Sequence, residues 1–215
     1  MKKGTVFILV AAMALSACSD HQSDQKLPIL GVRKLIEKII GGKTIIDTLF
    51  KKIPPFQFVN QDSMVVTNRD FDGRIYVADF FFISCPDVCP IIQRNMLTVY
   101  QKYKNNPQVK LLSYTIDPNH DTPSKLKNYA VELGVEDSQW EFLRGQKQAV
   151  FALAKNDYMV SVDDDTKGPG GFAHEGFFVL VDKKRRMRGV YDGTNVQEVN
   201  KLMKDMDILL SEQDK

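Results

Sequence analysis

The sequence has little cysteine and little histidine. Among 215 residues there are 3 cysteines and 3 histidines. Three cysteines allow at most one intramolecular pair, with one thiol left over. They do not suffice for a zinc module built on four thiolates. A single-sign charge excess is also missing. The formal net charge is +2, and removing Lys2 and Lys3 with a leader would leave 27 basic against 27 acidic side chains. That balance gives no electrostatic reason to bind nucleic acid, so none is expected as a partner. Repeats and low-complexity tracts are absent. What remains is ordinary globular composition, 43% apolar and 26% charged, enough for one sizeable core.

A long hydrophobic run is lacking as well. The apolar stretch from Val6 to Leu15 is ten residues, too short for a bilayer core of about 30 Å. After Lys2 and Lys3 it fits the apolar region of a secretory signal. It runs into Leu15-Ser16-Ala17-Cys18, which resembles the bacterial lipobox, where the signal is cut before a cysteine that then carries lipid. The expected organisation is a lipoprotein signal peptide over 1–17, a polar tether over 18–26, an extension of uncertain structure over 27–54 and the main domain over 55–212. The mature protein would be exported and held on a membrane through lipid on Cys18, facing the periplasm or cell exterior. Cys85 and Cys89 would then lie in an oxidising compartment that permits a disulfide between them. Metal binding there would need a thiol reductant.

The pattern along the chain is that of an α/β domain. In 27–54, Leu30, Val32, Leu35, Ile36, Ile39 and Ile40 fit one face of a short helix or an irregular strand, and Gly41-Gly42 marks a turn. Phe56–Val59 and Met64–Thr67 read as short strands around a turn at Gln61 and Asp62. The continuous apolar run Ile75–Ile83 reads as a central strand buried on both faces. Pro90 opens a helix to about Tyr103, with Ile91, Met96, Leu97 and Tyr100 toward the core. Val109–Ile116 is a second buried strand. Asp121 or Thr122 caps a helix whose second residue is Pro123, running to about Leu133 and stopped by Gly134. A helix over 146–155, a strand over 158–162, a polar loop over 163–171, a hairpin of Phe177–Val181 with Arg188–Tyr191, and a helix over 195–210 complete the order. The basic run Lys183-Lys184-Arg185-Arg186 reads as the solvated turn of that hairpin. This order predicts a thioredoxin-like sandwich with an N-terminal β-hairpin extension. It puts Cys85 and Cys89 at the carboxyl end of a central strand, where α/β sheets carry their chemistry.

The segment Ser84-Cys85-Pro86-Asp87-Val88-Cys89-Pro90 holds the paired thiols. A cysteine at a helix N-terminus has a lowered pKa, and its thiolate is both nucleophile and metal ligand. Three residues separate the cysteines, where the common redox motif has two. Residues four apart on a helix hold their Cβ atoms about 5–6 Å apart, whereas a disulfide wants about 3.8 Å. A shared metal with bonds of about 2.3 Å tolerates sulfurs about 4 Å apart. The spacing therefore suits a metal, while Pro86 and Pro90 distort the turn enough to leave a disulfide open. A peroxidase-type site would want threonine three residues before Cys85, and Phe82 stands there. Of the histidines, His21 lies in the tether and His120 in an exposed loop. His174 follows the flexible Gly168-Pro169-Gly170-Gly171 and precedes a core strand, so it can reach the cysteines. Two thiolates and an imidazole favour copper. Zinc would need a fourth ligand, for which Asp117, Asp121 or Asp163 to Asp165 offer oxygen.

These residues resemble the Sco/SenC family of copper-binding thioredoxin-fold proteins. The resemblance runs from about Pro55 to Leu210. It rests on Cys85-Pro86-Asp87-Val88-Cys89-Pro90, on Ser113-Tyr114-Thr115-Ile116-Asp117-Pro118 with Asp121-Thr122-Pro123, and on Phe172-Ala173-His174 before Phe178-Val179-Leu180-Val181-Asp182. It implies copper, as Cu(I) or Cu(II), on Cys85, Cys89 and His174, with Asp117 and Asp121 shaping the loop beside them. It further implies a role in assembling the copper site of cytochrome c oxidase, with that oxidase subunit or another copper protein as recipient. Glu175 departs from the family, which often has a small hydroxyl residue after the histidine, and a lipid replaces the usual transmembrane helix. The competing expectation is a thiol–disulfide oxidoreductase using Cys85 and Cys89 on a partner's cysteines.

Overall fold

The computed structural model describes residues 26–212. The leader over 1–17, Cys18, His21 and most of the tether lie outside the described residues. Among those described, no helix is long and apolar enough to cross a membrane.

The centre is a five-stranded sheet. Among the described residues the strands are, in chain order, β1 Arg33–Ile40, β2 Lys43–Phe50, β3 Gln57–Val59, β4 Val65–Thr67, β5 Ile75–Phe81, β6 Val109–Thr115, β7 Trp140–Leu143, β8 Val162–Asp164, β9 Phe172–His174, β10 Phe177–Val181 and β11 Met187–Asp192. The helices are α1 Cys89–Tyr103, α2 Pro123–Glu132, α3 Lys147–Ala152 and α4 Val196–Ser211. The main sheet runs β11-β10-β5-β6-β7. Its β5-β6-β7 half is parallel and its β5-β10-β11 half antiparallel. This is the thioredoxin-like sandwich the element order predicts. All seven β5 residues are buried, as a central strand covered on both faces requires.

The helices begin and end where local chemistry dictates. In α2, Thr122 is the cap, its hydroxyl accepting from the Lys125 amide at 3.4 Å, and Pro123 supplies the first helical residue. The Asn195 side chain accepts from the Gln197 amide at 2.9 Å to start α4. That helix turns Val199, Leu202, Met206 and Leu209 into the core. In α1 the buried face runs through Ile92, Gln93, Met96 and Tyr100, and Ile91 faces solvent.

Several expectations need correction. Trp140–Leu143 forms the sheet's outer parallel strand, which sequence reading passes over. Tyr158 belongs to a widened helical turn over Leu153–Tyr158, not to a strand. The left-handed Met159, φ 58°, closes that turn. The polar stretch 163–171 is not all loop, because β8 pairs antiparallel with β9. The stretch within 27–54 that fits helix or strand resolves as the expected N-terminal hairpin, residues 33–50 forming a two-stranded ribbon of β1 against β2. Gly41 and Gly42 both have positive φ, 58° and 76°, which a two-residue turn between twisted strands demands.

Candidate metal centre

Cys85 and Cys89 leave the end of β5 on either side of a tight loop. Phe82 begins the loop, and the Cys85 amide donates back to its carbonyl at 3.3 Å. Cys89 is the first residue of α1, with Pro90 behind it. Both cysteines are buried, and both are free thiols. His174 ends β9, in register with Val162 of β8. That short pair carries the imidazole across the sheet end, and Nε2 of His174 lies 3.3 Å from Sγ of Cys89. One ligand atom each from Cys85, Cys89 and His174 falls within 4.8 Å of the others.

Close packing holds the histidine there. The Phe82 ring meets the His174 ring edge-on, centroids 5.7 Å apart, and touches Phe172 at 5.0 Å. Gly170 passes so near that a Cβ on it would lie 2.5 Å from the Phe82 ring, and its φ is 68°. Both facts demand glycine. Nδ1 of His174 is buried without a hydrogen-bond partner among the described residues.

The loop's other anchor is Asp121, fully buried. Its Oδ2 accepts from the Ile83 amide at 3.1 Å and from the Thr115 hydroxyl at 2.6 Å. Asp121 thereby ties the cysteine loop to the end of β6. Asp117 closes the turn around it, its carbonyl accepting from the Asp121 amide at 2.9 Å. None of the five carboxylates considered as oxygen ligands joins the cluster. Asp163 and Asp164 pair instead with Lys155 and Lys147, and Asp165 accepts from the Lys167 amide. His120 stays outside, half exposed and 3.1 Å from Asp121. Glu175 points away, accepting from the Ser161 amide at 2.9 Å.

The two thiols are unequal. A hydrogen bond from Cys89 holds the Cys85 thiol well below its ordinary pKa, helped by His174 and by the Asp87 and Cys89 amides. Cys89 is pushed up, because it donates in that pair and is buried. The lowered thiol is thus the one ahead of the helix, not the one on its first turn. Cys85 has the makings of a nucleophile or first ligand, and Cys89 of a follower.

Beneath the thiols lies a buried polar chain that sequence reading misses. Asp79, inside the apolar β5, accepts from Ser113 and, at 2.6 Å, from Gln93. Ser113 in turn accepts from the Trp140 indole at 2.9 Å. Burial pushes Asp79 up to about 7, against the opposing hydrogen bonds from Ser113 and Gln93. A lone carboxylate within an otherwise apolar strand was the available signal.

A thioredoxin-like sheet with a reduced C-x3-C pair and a facing histidine defines a class of thiol and metal-handling proteins. A profile of the SCO1/SenC family matches residues 47–210, and the chain belongs to that family. The SCO1 protein homolog of Bacillus subtilis (strain 168) is 28% identical over 167 residues, covering 77% of this chain and 86% of the relative. The crystal structure of a SCO1/SenC family lipoprotein from Bacillus anthracis str. Ames superposes with TM-score 0.69 at 28% identity, over 74% of this chain and 95% of that one. BsSco, a member of the Sco family of cytochrome c oxidase assembly proteins, gives 0.67 at 25% identity, over 77% and 96%. Copper-bound ScoI of Arabidopsis thaliana shares the fold, with TM-score 0.61 at 20% identity over 73% and 99%.

Proposed function

We propose that this protein is a copper chaperone of the SCO1/SenC type, carrying one copper ion on Cys85, Cys89 and His174 and delivering it to the copper site of cytochrome c oxidase. The observation that carries this reading is the convergence of two thiols and one imidazole within 4.8 Å. Two sulfurs and one nitrogen suit copper, and among the described residues no fourth metal-binding side chain joins the cluster to favour structural zinc. Copper is cargo here, so a three-ligand site is an advantage: an incoming thiolate from the recipient has room to add before a protein ligand leaves. Cys85, already inclined to the thiolate, binds without a large proton penalty at neutral pH. Cys89 gives up its proton when the ion arrives.

The same reading places the protein outside the cytoplasm. The signal over 1–17 is removed, Cys18 carries lipid, and 18–26 tethers the domain to the membrane. A thiol reductant keeps the pair open for metal. The test of the site is titration of the reduced protein with Cu(I) under a competing chelator. About one copper per chain is expected, and His174→Ala should weaken binding by more than about 100-fold, as loss of a direct ligand exceeds the 10–100-fold of changes to the residues behind it. Unchanged affinity in that variant removes His174 from the site.

The inequality of the thiols favours a second reading, reduction of a partner's disulfide. The Cys85 thiolate would attack one partner sulfur and release the other as thiolate, giving a mixed disulfide. Cys89 would then lose its proton, attack Cys85 and free the partner, leaving Cys85–Cys89 oxidised and the partner reduced by two electrons. Cys89→Ser should trap that mixed disulfide. If it captures no oxidised recipient peptide, the protein is a carrier only.

A further inference from the structure

The β1–β2 ribbon has no place in the metal site, and its surface chemistry differs from that of the body. It pairs only with itself. The register puts Leu35, Ile39, Ile46 and Phe50 on one face, and Ile36, Ile40, Ile45 and Leu49 on the other. Ile39 is 78% exposed and Ile46 72%. Both faces therefore present isoleucine near the Gly41-Gly42 tip. Charge is segregated too. From Lys26 to Lys52 there are seven basic and two acidic side chains, net +5. From Ile53 to the end there are 20 basic and 23 acidic, net −3.

We infer that the ribbon tip docks onto an anionic lipid surface. A flat protein partner covers one face of a ribbon, whereas an apolar medium surrounds both. The flanking Lys34 and Lys43 share one face with Ile36 and Ile40 and meet phosphate headgroups, while Lys38 on that face is paired with Asp47. The outer edges of β1 and β2 carry backbone groups that hydrocarbon cannot satisfy, so the tip rests about 5–10 Å into the headgroup boundary and goes no deeper. The ribbon begins 15 residues after Cys18, so at most about 3.3–3.6 Å per residue of chain separates it from the proposed lipid. Docking would hold the copper site at a set height above the membrane that bears its recipient.

The inference rests on the membrane-anchored reading, but its test does not use the lipid. The chain from Ser19 onward keeps every described element and carries no acyl group. It should co-float with vesicles of phosphatidylcholine containing about 30% phosphatidylglycerol, and bind pure phosphatidylcholine about tenfold less or weaker. Ile39→Asp with Ile46→Asp should lower flotation about tenfold or more by removing apolar contact. Should that pair disturb the ribbon, Lys34→Glu with Lys43→Glu leaves the apolar tip whole and should cut binding to the anionic vesicles alone. Absent flotation, equal binding to neutral vesicles, or flotation untouched by both pairs overturns the inference. A dimer in solution that the isoleucine pair dissolves does so as well, by making a second copy the occupant. Copper titration of the same preparations reports the metal site separately, so failure of one leaves the other standing.

Discussion

Two regions of this chain are built from the same residue types and end in opposite states. Strand β5 and the ribbon β1–β2 are both rich in β-branched and aromatic residues. In β5, every residue is buried, flanked by β6 on one side and β10 on the other. In the ribbon, Ile39 and Ile46 stand in solvent, and neither strand has a second neighbour. Isoleucine does not bury itself; connectivity does. Strand β5 lies between β6 and β10 with α4 packed against it, while the ribbon has only its own turn to return on. A lone two-stranded hairpin is marginal in water. The metal site was placed on the first kind of framework, where packing holds side chains in register, and the surface feature on the second.

The sharpest break of this comparison is the same substitution in both places. Ile75→Ala, at a fully buried β5 position, should cost about 2–5 kcal/mol of unfolding free energy, from lost transfer energy and a residual cavity. Ile39→Ala should change it by no more than about 0.5 kcal/mol. Urea denaturation of both variants decides the matter. A comparable loss at Ile39 would mean that the ribbon unfolds with the core.

Glycine sharpens the contrast further. Gly170→Ala forces a Cβ to within 2.5 Å of the buried Phe82 ring at φ 68°, and should cost about 2–3 kcal/mol through strain and overpacking. Because Phe82 backs His174, the variant should also loosen copper. Gly41→Ala meets no atom within 4 Å. Its left-handed strain, about 1–2 kcal/mol, should appear in faster hydrogen exchange across β1 and β2, with the body's denaturation midpoint unmoved.

How much was legible beforehand follows the same division. Where one element answers to one pattern, the residues sufficed. The apolar run Ile75–Ile83, Pro90 after Cys89, and Thr122-Pro123 all declare their roles locally. The thiol spacing and the glycine-rich approach to His174 likewise brought the three donor residues to notice. Where two patterns fit, a turn signal or tertiary pairing had to choose. Ile39-Ile40 and Ile45-Ile46 suit a helix face as well as a strand, and the adjacent glycines were the deciding signal. The strand Trp140–Leu143 is four residues long and includes Glu141, so it shows no usable period. Strand β8 hides in an acidic run because its partner β9, not its composition, makes it a strand. Asp79 escaped notice because a strand buried on both faces is read as wholly apolar, and its hydrogen-bond partners Ser113 and Gln93 lie 34 and 14 residues away.

Asp79 provides the finest cut between the regions, since the ribbon has no buried carboxylate to compare with it. In the folded protein burial raises it from 3.8 to about 7. The folded state therefore holds a proton that the unfolded chain has already released above about pH 4, and stability falls as pH rises toward 7. Between pH 6 and pH 8 the folded carboxyl gives up most of that proton, and linkage puts the loss at about 1 kcal/mol. Asn cannot ionise, and its amide can donate to the Gln93 Oε1 that lacks a partner in the wild type. Asp79→Asn should therefore flatten this pH dependence, so that the gap between variant and wild type widens in the variant's favour from pH 6 to pH 8. Parallel urea curves at the two pH values measure it. A gap that stays constant from pH 6 to pH 8 and changes only below pH 6 would mean that Asp79 is already ionised at pH 6. The polar chain beneath the thiols would then carry a fixed negative charge, which disfavours a second thiolate on Cys89.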